Sequence, residues 1–231
     1  MNSLALHVTE AQGSVALERD DGVVLASEFA AQGDKAPVLL QEIAGLIARA
    51  EITPEALGVI AVTTGPGSFT GIRVGLATAQ GLAMARGGRV FACDSLQPVA
   101  AAHRSGKTPV AVVLDARRGE VYAAMYDLPI EGPLQVRLAP RCVAPEVAAD
   151  VIAIASGGEA FSLVGGGAFL VAPALLAAGV EAQSAPRTAG PVAVVLLDLI
   201  RRRAVAPVPA ADLEPVYLRL SDAEVRRNQD A

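Results

Sequence analysis

The sequence predicts an α/β protein built from two copies of one structural plan. The chain has 231 residues, of which 52% are hydrophobic. A chain of this length can bury a core as one large domain or as two lobes of roughly 100 residues each. Alternating apolar residues predict a three-strand meander at the start and again near the middle. Each meander is followed by a strand, a glycine-rich loop and a helix.

The elements of the first copy follow one another in a simple order. Three short strands are predicted at residues 4–9, 14–19 and 23–29. The second and third are joined by a turn at residues 20–22. Apolar residues then recur at helical spacing: Val38, Leu39, Ile43, Leu46 and Ile47. A buried strand at 58–62 leads into the glycine-rich loop and a second, long helix.

The second copy repeats this order after a hinge at about residues 94–108. Strands are predicted at residues 109–115, 120–127 and 134–140. Residues 161–168 then repeat the step from strand to glycines to helix seen at residues 59–68. We therefore predict an N-terminal lobe at residues 1–100 and a C-terminal lobe at residues 101–231.

A meander followed by strand and helix steps, present twice, is the plan of the sugar-kinase/Hsp70/actin (ASKHA) superfamily, whose lobes are RNase H-like. The predicted fold class is therefore α/β, with two RNase H-like lobes of the ASKHA type. Fold analogy alone would suggest ATP as a ligand. Since a fold does not determine a function, the residues of the site must show whether a nucleotide binds.

Composition and charge argue against a protein that binds nucleic acid by itself. The net charge is -5, the sequence pI is near 5.1 and aromatic residues make up only 3% of the chain. Basic residues cluster at Arg201, Arg202 and Arg203, and later at Arg226 and Arg227. An acidic chain with few stacking side chains lacks the electrostatic footprint of an autonomous nucleic-acid binder.

The cysteine and hydropathy patterns predict a cytoplasmic protein. Cys93 and Cys142 belong to no CxxC or Cys/His spacing, so neither a disulfide framework nor a zinc site is indicated. The longest apolar run, residues 192–197, stops at Asp198, well short of the ~18 residues that a membrane span needs. Residues 1–10 lack the cationic start of a signal peptide, so export is not expected.

The glycine-rich loop before the long helix is the sharpest local feature. Residues 63–85 read TTGPGSFTGIRVGLATAQGLAMA, and Ser68 or Thr70 is placed to cap the helix. The loop matches neither a Walker A nor a GxGxxG motif. Its spacing leaves two interpretations open, a tight connection and an anion-holding loop. The candidate cofactor-binding residues for the second are Gly65, Gly67 and Ser68, with Gly165 and Gly166 of the later glycine loop.

The long helix carries a ridge of small residues on one side. Gly71, Gly75, Ala79 and Ala83 follow one another at intervals of four residues. Glycine inside a helix costs about 1 kcal/mol relative to alanine, so this ridge needs a structural reason. Close packing on the protein's own sheet and close packing on a helix of another subunit fit the spacing equally well.

The chain offers few residues for catalysis or metal binding. His7 lies in the first predicted strand and His103 near the hinge, and neither belongs to an HExxH or HxxxH pair. A lone strand histidine is most often a structural residue with satisfied hydrogen bonds. Ser68 lies in GPGSFTG rather than in the GxSxG of a nucleophile elbow. We therefore predict no catalytic residue, no metal site and no cofactor.

Three segments of the chain resemble blocks of one known family. The run GPGSFTGIRVGLATAQGLA at residues 65–83 resembles the signature of the TsaB family, also called YeaZ. Residues 114–126 (LDARRGEVYAAMY) and residues 214–219 (EPVYLR) are similar to the family's second and C-terminal blocks. The resemblance therefore spans nearly the whole chain, in order.

The resemblance implies a non-catalytic scaffold, an inactive paralogue of the catalytic transferase subunit TsaD. Such a subunit serves the complex that adds threonylcarbamoyl to the adenosine next to the anticodon of tRNAs reading codons that begin with A. It implies a heterodimer with TsaD and contact with TsaE through the joint surface, with tRNA met only indirectly. A homodimer can use the same face.

The resemblance also assigns the partner interface. In this family the first two helices of the N-terminal lobe pack on their equivalents in the partner. The resemblance therefore implies that the ridge of small residues packs on a helix of another subunit. The implied interface residues are Leu39, Ile43, Leu46, Gly71, Val74, Gly75, Thr78 and Leu82. We expect from this that Gly75→Leu leaves the monomer folded and abolishes partner binding, because a large side chain holds the helices apart.

The chain departs from the family pattern at two places. Family members usually have an aspartate in the first strand where this chain has His7. They have a His-Ser pair at the start of the first helix, where this chain has Gly33, Asp34 and Lys35. Both changes argue further against independent catalysis. The alternatives to a scaffold are a stand-alone metallopeptidase-like enzyme and an ATP-binding enzyme of the same superfamily.

Overall fold

Two β-sheets organise the computed structural model, which describes residues 1–30, 35–85, 89–103, 108–129, 132–185 and 190–219. The first half contains β1 (Asn2–His7), β2 (Gln12–Glu18), β3 (Val24–Ala30), α1 (Lys35–Arg49), β4 (Leu57–Thr63), α2 (Phe69–Met84), β5 (Arg89–Cys93) and α3 (Leu96–Ala101). The second half contains β6 (Val110–Arg117), β7 (Glu120–Asp127), β8 (Gln135–Val143), α4 (Pro145–Ser156), β9 (Phe161–Val164), α5 (Ala168–Ala177), β10 (Ala182–Ser184), α6 (Val192–Arg201) and β11 (Pro207–Val208).

The two sheets share one topology. The first has the order β11-β5-β4-β1-β2-β3 and the second the order β10-β9-β6-β7-β8. In each, the first three strands are antiparallel neighbours, and the fourth strand pairs in parallel with the first. This is the RNase H-like arrangement given twice, so the predicted ASKHA fold class is confirmed.

Helices and sheets alternate in five layers. α1 and α2 cover the outer face of the first sheet, and α4 and α5 cover the outer face of the second. α3 and α6 lie between the two sheets. The alternation of β1 explains the layering, because Leu4 and Leu6 face α1 and α2 whereas Ala5 faces α6.

The end of the described chain returns to the first sheet. Ala193, Leu196 and Leu197 of α6 pack on a face that includes Ala5 and Ala61, and β11 pairs with β5. The division into residues 1–100 and 101–231 assigned both elements to the second lobe. The structure places them on the first, because the alanine face of that sheet lets the apolar side of α6 approach closely.

The predicted turn and hinge can be compared with the structure. The turn at residues 20–22 is present, with Gly22 at a φ of +87°, and a short 3-10 turn follows Thr53 at Pro54–Ala56. The hinge region contains α3, while its residues 104–107 lie outside the described part of the chain, as do Arg226 and Arg227. Within the described residues, no helix has the length and hydropathy of a membrane span.

Candidate functional site

The glycine-rich loop is a tight connection packed against the end of β1. Ser68 caps α2, because its hydroxyl accepts a hydrogen bond from the N–H of Gly71 at 3.3 Å. The N–H of Ser68 donates to the carbonyl oxygen of Thr9 at 2.7 Å. A side chain at Gly67 would overlap that carbonyl, and one at Gly71 would overlap the carbonyl of Val8. The glycines therefore allow the loop and the helix to approach β1 closely.

A buried lysine joins the first helix to this loop. Lys35 is 7% exposed, and its Nζ donates to the Ser68 hydroxyl at 2.9 Å. Burial lowers the pKa of its ammonium group. The two residues before it, Gly33 and Asp34, lie outside the described residues. No sequence pattern indicates the contact between Lys35 and Ser68, because 33 positions separate them.

His7 is buried at the end of β1 and has a partner for each ring nitrogen. Its Nδ1 lies 3.2 Å from the Thr63 hydroxyl, and its Nε2 lies 3.1 Å from a carboxylate oxygen of Glu10. A carboxylate only accepts, so Nε2 carries the proton, and in the neutral ring Nδ1 accepts from Thr63. The side chain ties β1 to β4 and to the following loop, as expected for a structural histidine.

A cleft of about 460 Å³ separates the two sheets. Its lining includes the side chains of Glu10 and Glu28 and no lysine or arginine among the described residues. Burial lowers the pKa of His103, so this lining ring is neutral at neutral pH. Nucleotide phosphates are usually held by cations and free backbone N–H groups. Among the described residues, the walls of the cleft present no cationic side chain to a phosphate.

The five candidate cofactor-binding residues are not in one place. Gly165 and Gly166 line the cleft, whereas Gly65, Gly67 and Ser68 form the connection into α2 and are absent from its described lining. Within the described part of the chain, no three His, Cys, Asp or Glu side chains are placed to share a metal ion.

The implied interface residues lie on the inner and lateral sides of α1 and α2. Leu39, Ile43 and Leu46 are at most 4% exposed and belong to the core of the first lobe. A Cβ at Gly75 would lie 3.6 Å from Val62. The small-residue ridge with Gly71, Ala79 and Ala83 therefore packs on the protein's own sheet. Val74, Thr78 and Leu82 are half-buried beside it.

A different set of small and apolar residues faces outward from the same two helices. We call this set the outer face: Leu40, Ala44, Gly45, Ala77, Gly81 and Met84. Leu40 is 55% exposed and Met84 is 79% exposed. A Cβ at Gly45 or Gly81 would meet nothing within 4 Å. The signal in the sequence is a second helical stripe, at Ala77, Gly81 and Met84, parallel to the inner ridge.

The three segments that carry the family resemblance meet in space. The N–H of Val216 donates to the carbonyl of Thr64 at 2.8 Å, just before the glycine-rich loop. Tyr217 stacks on Phe69 of α2 with ring centroids 4.8 Å apart. Arg219 donates to the carbonyl of Ala116, at the end of β6. The C-terminal segment therefore links α2 to the β6–β7 hairpin.

Comparisons with known proteins agree with this arrangement. Residues 30–131 match the family model of TsaD, described as tRNA N6-adenosine threonylcarbamoyltransferase. The tRNA threonylcarbamoyladenosine biosynthesis protein TsaB of Bacillus subtilis is 30% identical over 126 residues, 54% of this chain and 55% of that protein. The match thus spans about half the length of that relative.

Longer matches come from a mycobacterial protein and a solved structure. An uncharacterized protein of Mycobacterium tuberculosis is 34% identical over 88% of this chain and 87% of its own length. The crystal structure of an uncharacterized protein with similarity to peptidase YeaZ from Pseudomonas aeruginosa is 27% identical. It superposes with a TM-score of 0.76 over 94% of this chain and 99% of its own. The chain belongs to the TsaB (YeaZ) family.

Proposed function

We propose that this chain takes part in the synthesis of threonylcarbamoyladenosine in tRNA as a non-catalytic subunit. It binds a TsaD-type catalytic subunit through the outer face of α1 and α2, and TsaE joins through the surface that the two subunits form together. The complex adds threonylcarbamoyl to the adenosine next to the anticodon, and this chain meets tRNA only through its partners. The names of the Bacillus subtilis and Escherichia coli relatives support the pathway.

The outer face is the observation that carries the partner assignment. Gly45 and Gly81 lie inside helices, are exposed and have open space where a side chain would be. Each costs helix stability without any packing gain inside this chain. A partner helix that packs closely on the face would supply that gain. Since residues 30–131 are similar to TsaD and contain both helices, a TsaD-type partner is expected to present a comparable helix pair.

The non-catalytic role is supported by how the candidate catalytic side chains are used. Both ring nitrogens of His7 are engaged by Thr63 and Glu10. The Ser68 hydroxyl accepts hydrogen bonds from Gly71 and from Lys35. These groups hold the loop and the helix starts together, so their role is structural.

A matched pair of substitutions on α2 tests the interface. We expect Gly81→Leu to keep or slightly raise the melting temperature, because leucine favours a helix more than glycine does. We expect it to weaken binding to the same organism's TsaD homologue about tenfold or more, because the added side chain holds the helices apart. Binding is measured by titration calorimetry, and the mass of the complex by light scattering. If the folded Gly81→Leu variant binds TsaD with wild-type affinity, the outer face is not part of the interface.

The control is Gly75→Leu, the same change on the buried side of the same helix. Because Val62 and Val8 already lie 3.6 and 3.8 Å from the position of its Cβ, a leucine there overpacks the core. We expect a loss of about 1–3 kcal/mol in the free energy of unfolding. The earlier expectation that Gly75→Leu leaves the monomer intact is thus replaced. If the wild-type chain does not associate with TsaD at all, the proposed function fails.

A further inference from the structure

A buried lysine, rather than an acid, lies at the amino end of α2. Lys35 is 7% exposed, and its Nζ lies 2.9 Å from the Ser68 hydroxyl and 3.0 Å from the position that a Cβ would take at Gly71. The ammonium group is therefore beside the first turn of the helix. The aligned peptide dipoles of a helix leave partial positive charge at this end, which favours an anion there and disfavours a cation.

No negative charge in the described part of the chain balances this lysine. An ammonium group has three N–H donors, and the Ser68 hydroxyl is the one acceptor that they have among the described residues. The carboxylate of Glu10, two residues after the end of the first core stretch at Val8, pairs with His7. A cation buried without a counter-charge is costly, so a bound anion would remove an electrostatic penalty.

The groups around the ammonium are also donors that lack acceptors. The Ser68 oxygen accepts from Lys35 and from the N–H of Gly71, and its own proton has no acceptor within the described residues. The N–H groups of Phe69 and Thr70 have none among those residues either. N–H groups of a first turn point back out of the helix end. The amino end of α2 therefore presents several hydrogen-bond donors together.

Thr9 adds a hydroxyl that is buried without a partner. Thr9 is 2% exposed, and its Oγ1 makes no hydrogen bond to any described residue. Its Cβ lies 2.8 Å from the position that a Cβ would take at Gly67, so the side chain is turned toward the glycine-rich loop just before α2. Buried hydroxyls are normally hydrogen-bonded, and a bound oxyanion would supply the missing acceptor.

We propose that the donors at the amino end of α2 bind a small oxyanion of the phosphate or sulfate type. We call these donors the anion site: the side chains of Thr9, Lys35 and Ser68 and the N–H groups of Phe69 and Thr70. A tetrahedral oxyanion accepts several hydrogen bonds at once and carries the charge that Lys35 lacks. Ser68 is half-buried and Thr70 is exposed, so the anion enters from the surface. Once bound, it ties the start of α1 to the start of α2.

Thermal unfolding of the full chain with inorganic phosphate tests this proposal. We expect about 20 mM phosphate to raise the melting temperature by about 4–7 °C relative to sodium chloride at the same ionic strength, as for a dissociation constant of about 1 mM. Titration calorimetry measures that dissociation constant directly. A melting temperature that phosphate raises no more than sodium chloride does would overturn the proposal.

Lys35→Met separates the anion site from any other contact with phosphate. Methionine keeps an unbranched apolar side chain and removes the charge, so we expect the melting temperature without phosphate to stay or rise and the phosphate-dependent rise to disappear. Arg89→Met is the matched control, because Arg89 is exposed and pairs with Val59, near the end of β4 that is far from α2. We expect it to keep the whole rise. A rise that survives in Lys35→Met would overturn the proposal.

Thr9→Val is a second variant that leaves the charge in place. Valine replaces only the unpartnered hydroxyl with a methyl group, so we expect the variant to fold and to weaken phosphate binding about threefold or more. An unchanged dissociation constant in both this variant and Lys35→Met would contradict the anion site.

Adenosine monophosphate distinguishes a free oxyanion from a phosphate carried by a nucleotide. Because Lys35 is 7% exposed, little room is left for a nucleoside, and we expect weaker binding than for inorganic phosphate. Tighter binding of the nucleotide would overturn the assignment to a small oxyanion. All of these measurements use the chain without TsaD, so their outcome is independent of the proposed function.

Discussion

At the scale of single residues, Asp94 connects the two lobes. It follows β5 of the first sheet, and its Oδ1 accepts hydrogen bonds from the N–H groups of Leu96 and Gln97 at 2.9 and 3.0 Å. The same oxygen accepts from the hydroxyl of Tyr126, in β7 of the second sheet, at 3.1 Å. Burial raises the pKa of this carboxyl, because desolvation outweighs the hydrogen bonds that favour its charged form.

This raised pKa makes stability depend on pH in a defined direction. The favourable contribution of Asp94 to the free energy of unfolding is fully present below the unfolded-state pKa of about 3.9. It is lost as pH rises through the higher folded-state pKa. Asparagine keeps the accepting oxygen and cannot ionise. We expect Asp94→Asn to exceed the wild type in free energy of unfolding at pH 7, with a difference that shrinks toward pH 4.

Urea unfolding of both proteins between pH 4 and pH 8 measures this difference. The exposed Asp150→Asn is the control, and we expect it to leave the pH dependence of the wild type unchanged. A difference between Asp94→Asn and wild type that is the same at every pH would show that the charge at Asp94 has no energetic role.

At the scale of elements, the C-terminal segment holds the start of α2. The hydroxyl of Tyr217 accepts a hydrogen bond from Nε of Arg73 at 2.9 Å, and the guanidinium lies 3.8 Å from the centre of the Phe69 ring. We expect Tyr217→Ala to lower the free energy of unfolding by about 1–2 kcal/mol, since it removes a stacked ring and a charge-assisted hydrogen bond at a partly exposed site.

Hydrogen exchange separates a local effect of Tyr217→Ala from a global one. Exchange is expected to accelerate in the first turn of α2 and in residues 213–219 before it changes in β1 or β4. Tyr217→Phe keeps the stack on Phe69 and removes only the hydroxyl, so a smaller effect is expected. If Tyr217→Ala and Tyr217→Phe lower the free energy of unfolding equally, the whole stabilisation by Tyr217 comes from its hydrogen bond.

Element types were predictable where local chemistry decides them. The strand at residues 120–127 was predicted with the bounds it has, because an acidic residue ends its apolar run on each side. Ser68 was one of two predicted caps of α2. Spacing does not reveal which side of a helix meets its own sheet. Leu39 and Leu40 are both leucines, yet the first is fully buried and the second is 55% exposed. The spacing therefore left the side of the inner ridge open, and the family resemblance assigned it to a partner.

At the scale of the whole molecule, the layer between the sheets joins regions that are far apart in sequence. The apolar run at 192–197 predicts burial, but hydropathy does not say against which sheet. The structure places α6 on the first sheet, where Leu196, Leu197 and Leu199 are at most 1% exposed. The apolar side chains that cover the first sheet therefore do not all come from the N-terminal 100 residues.

This arrangement predicts that residues 1–103 alone will not fold cooperatively. Without α6, the sheet face that includes Ala5, Ala61 and Phe91 is exposed to water. Burial of the three α6 leucines is worth roughly 5–9 kcal/mol, which is comparable with the entire stability of an ordinary domain. Circular dichroism melting of this fragment is expected to show a broad, non-cooperative change.

The matched fragment joins residues 190–219 to residue 103 through a flexible linker, which returns α6, β11 and the C-terminal segment to the first sheet. We expect this second fragment to melt in a single sharp transition, because it restores the missing layer at the entropic cost of closing one loop. A sharp transition in the shorter fragment as well would mean that α1 and α2 stabilise the first sheet from one side. In that case α6 would serve mainly to hold the two lobes together.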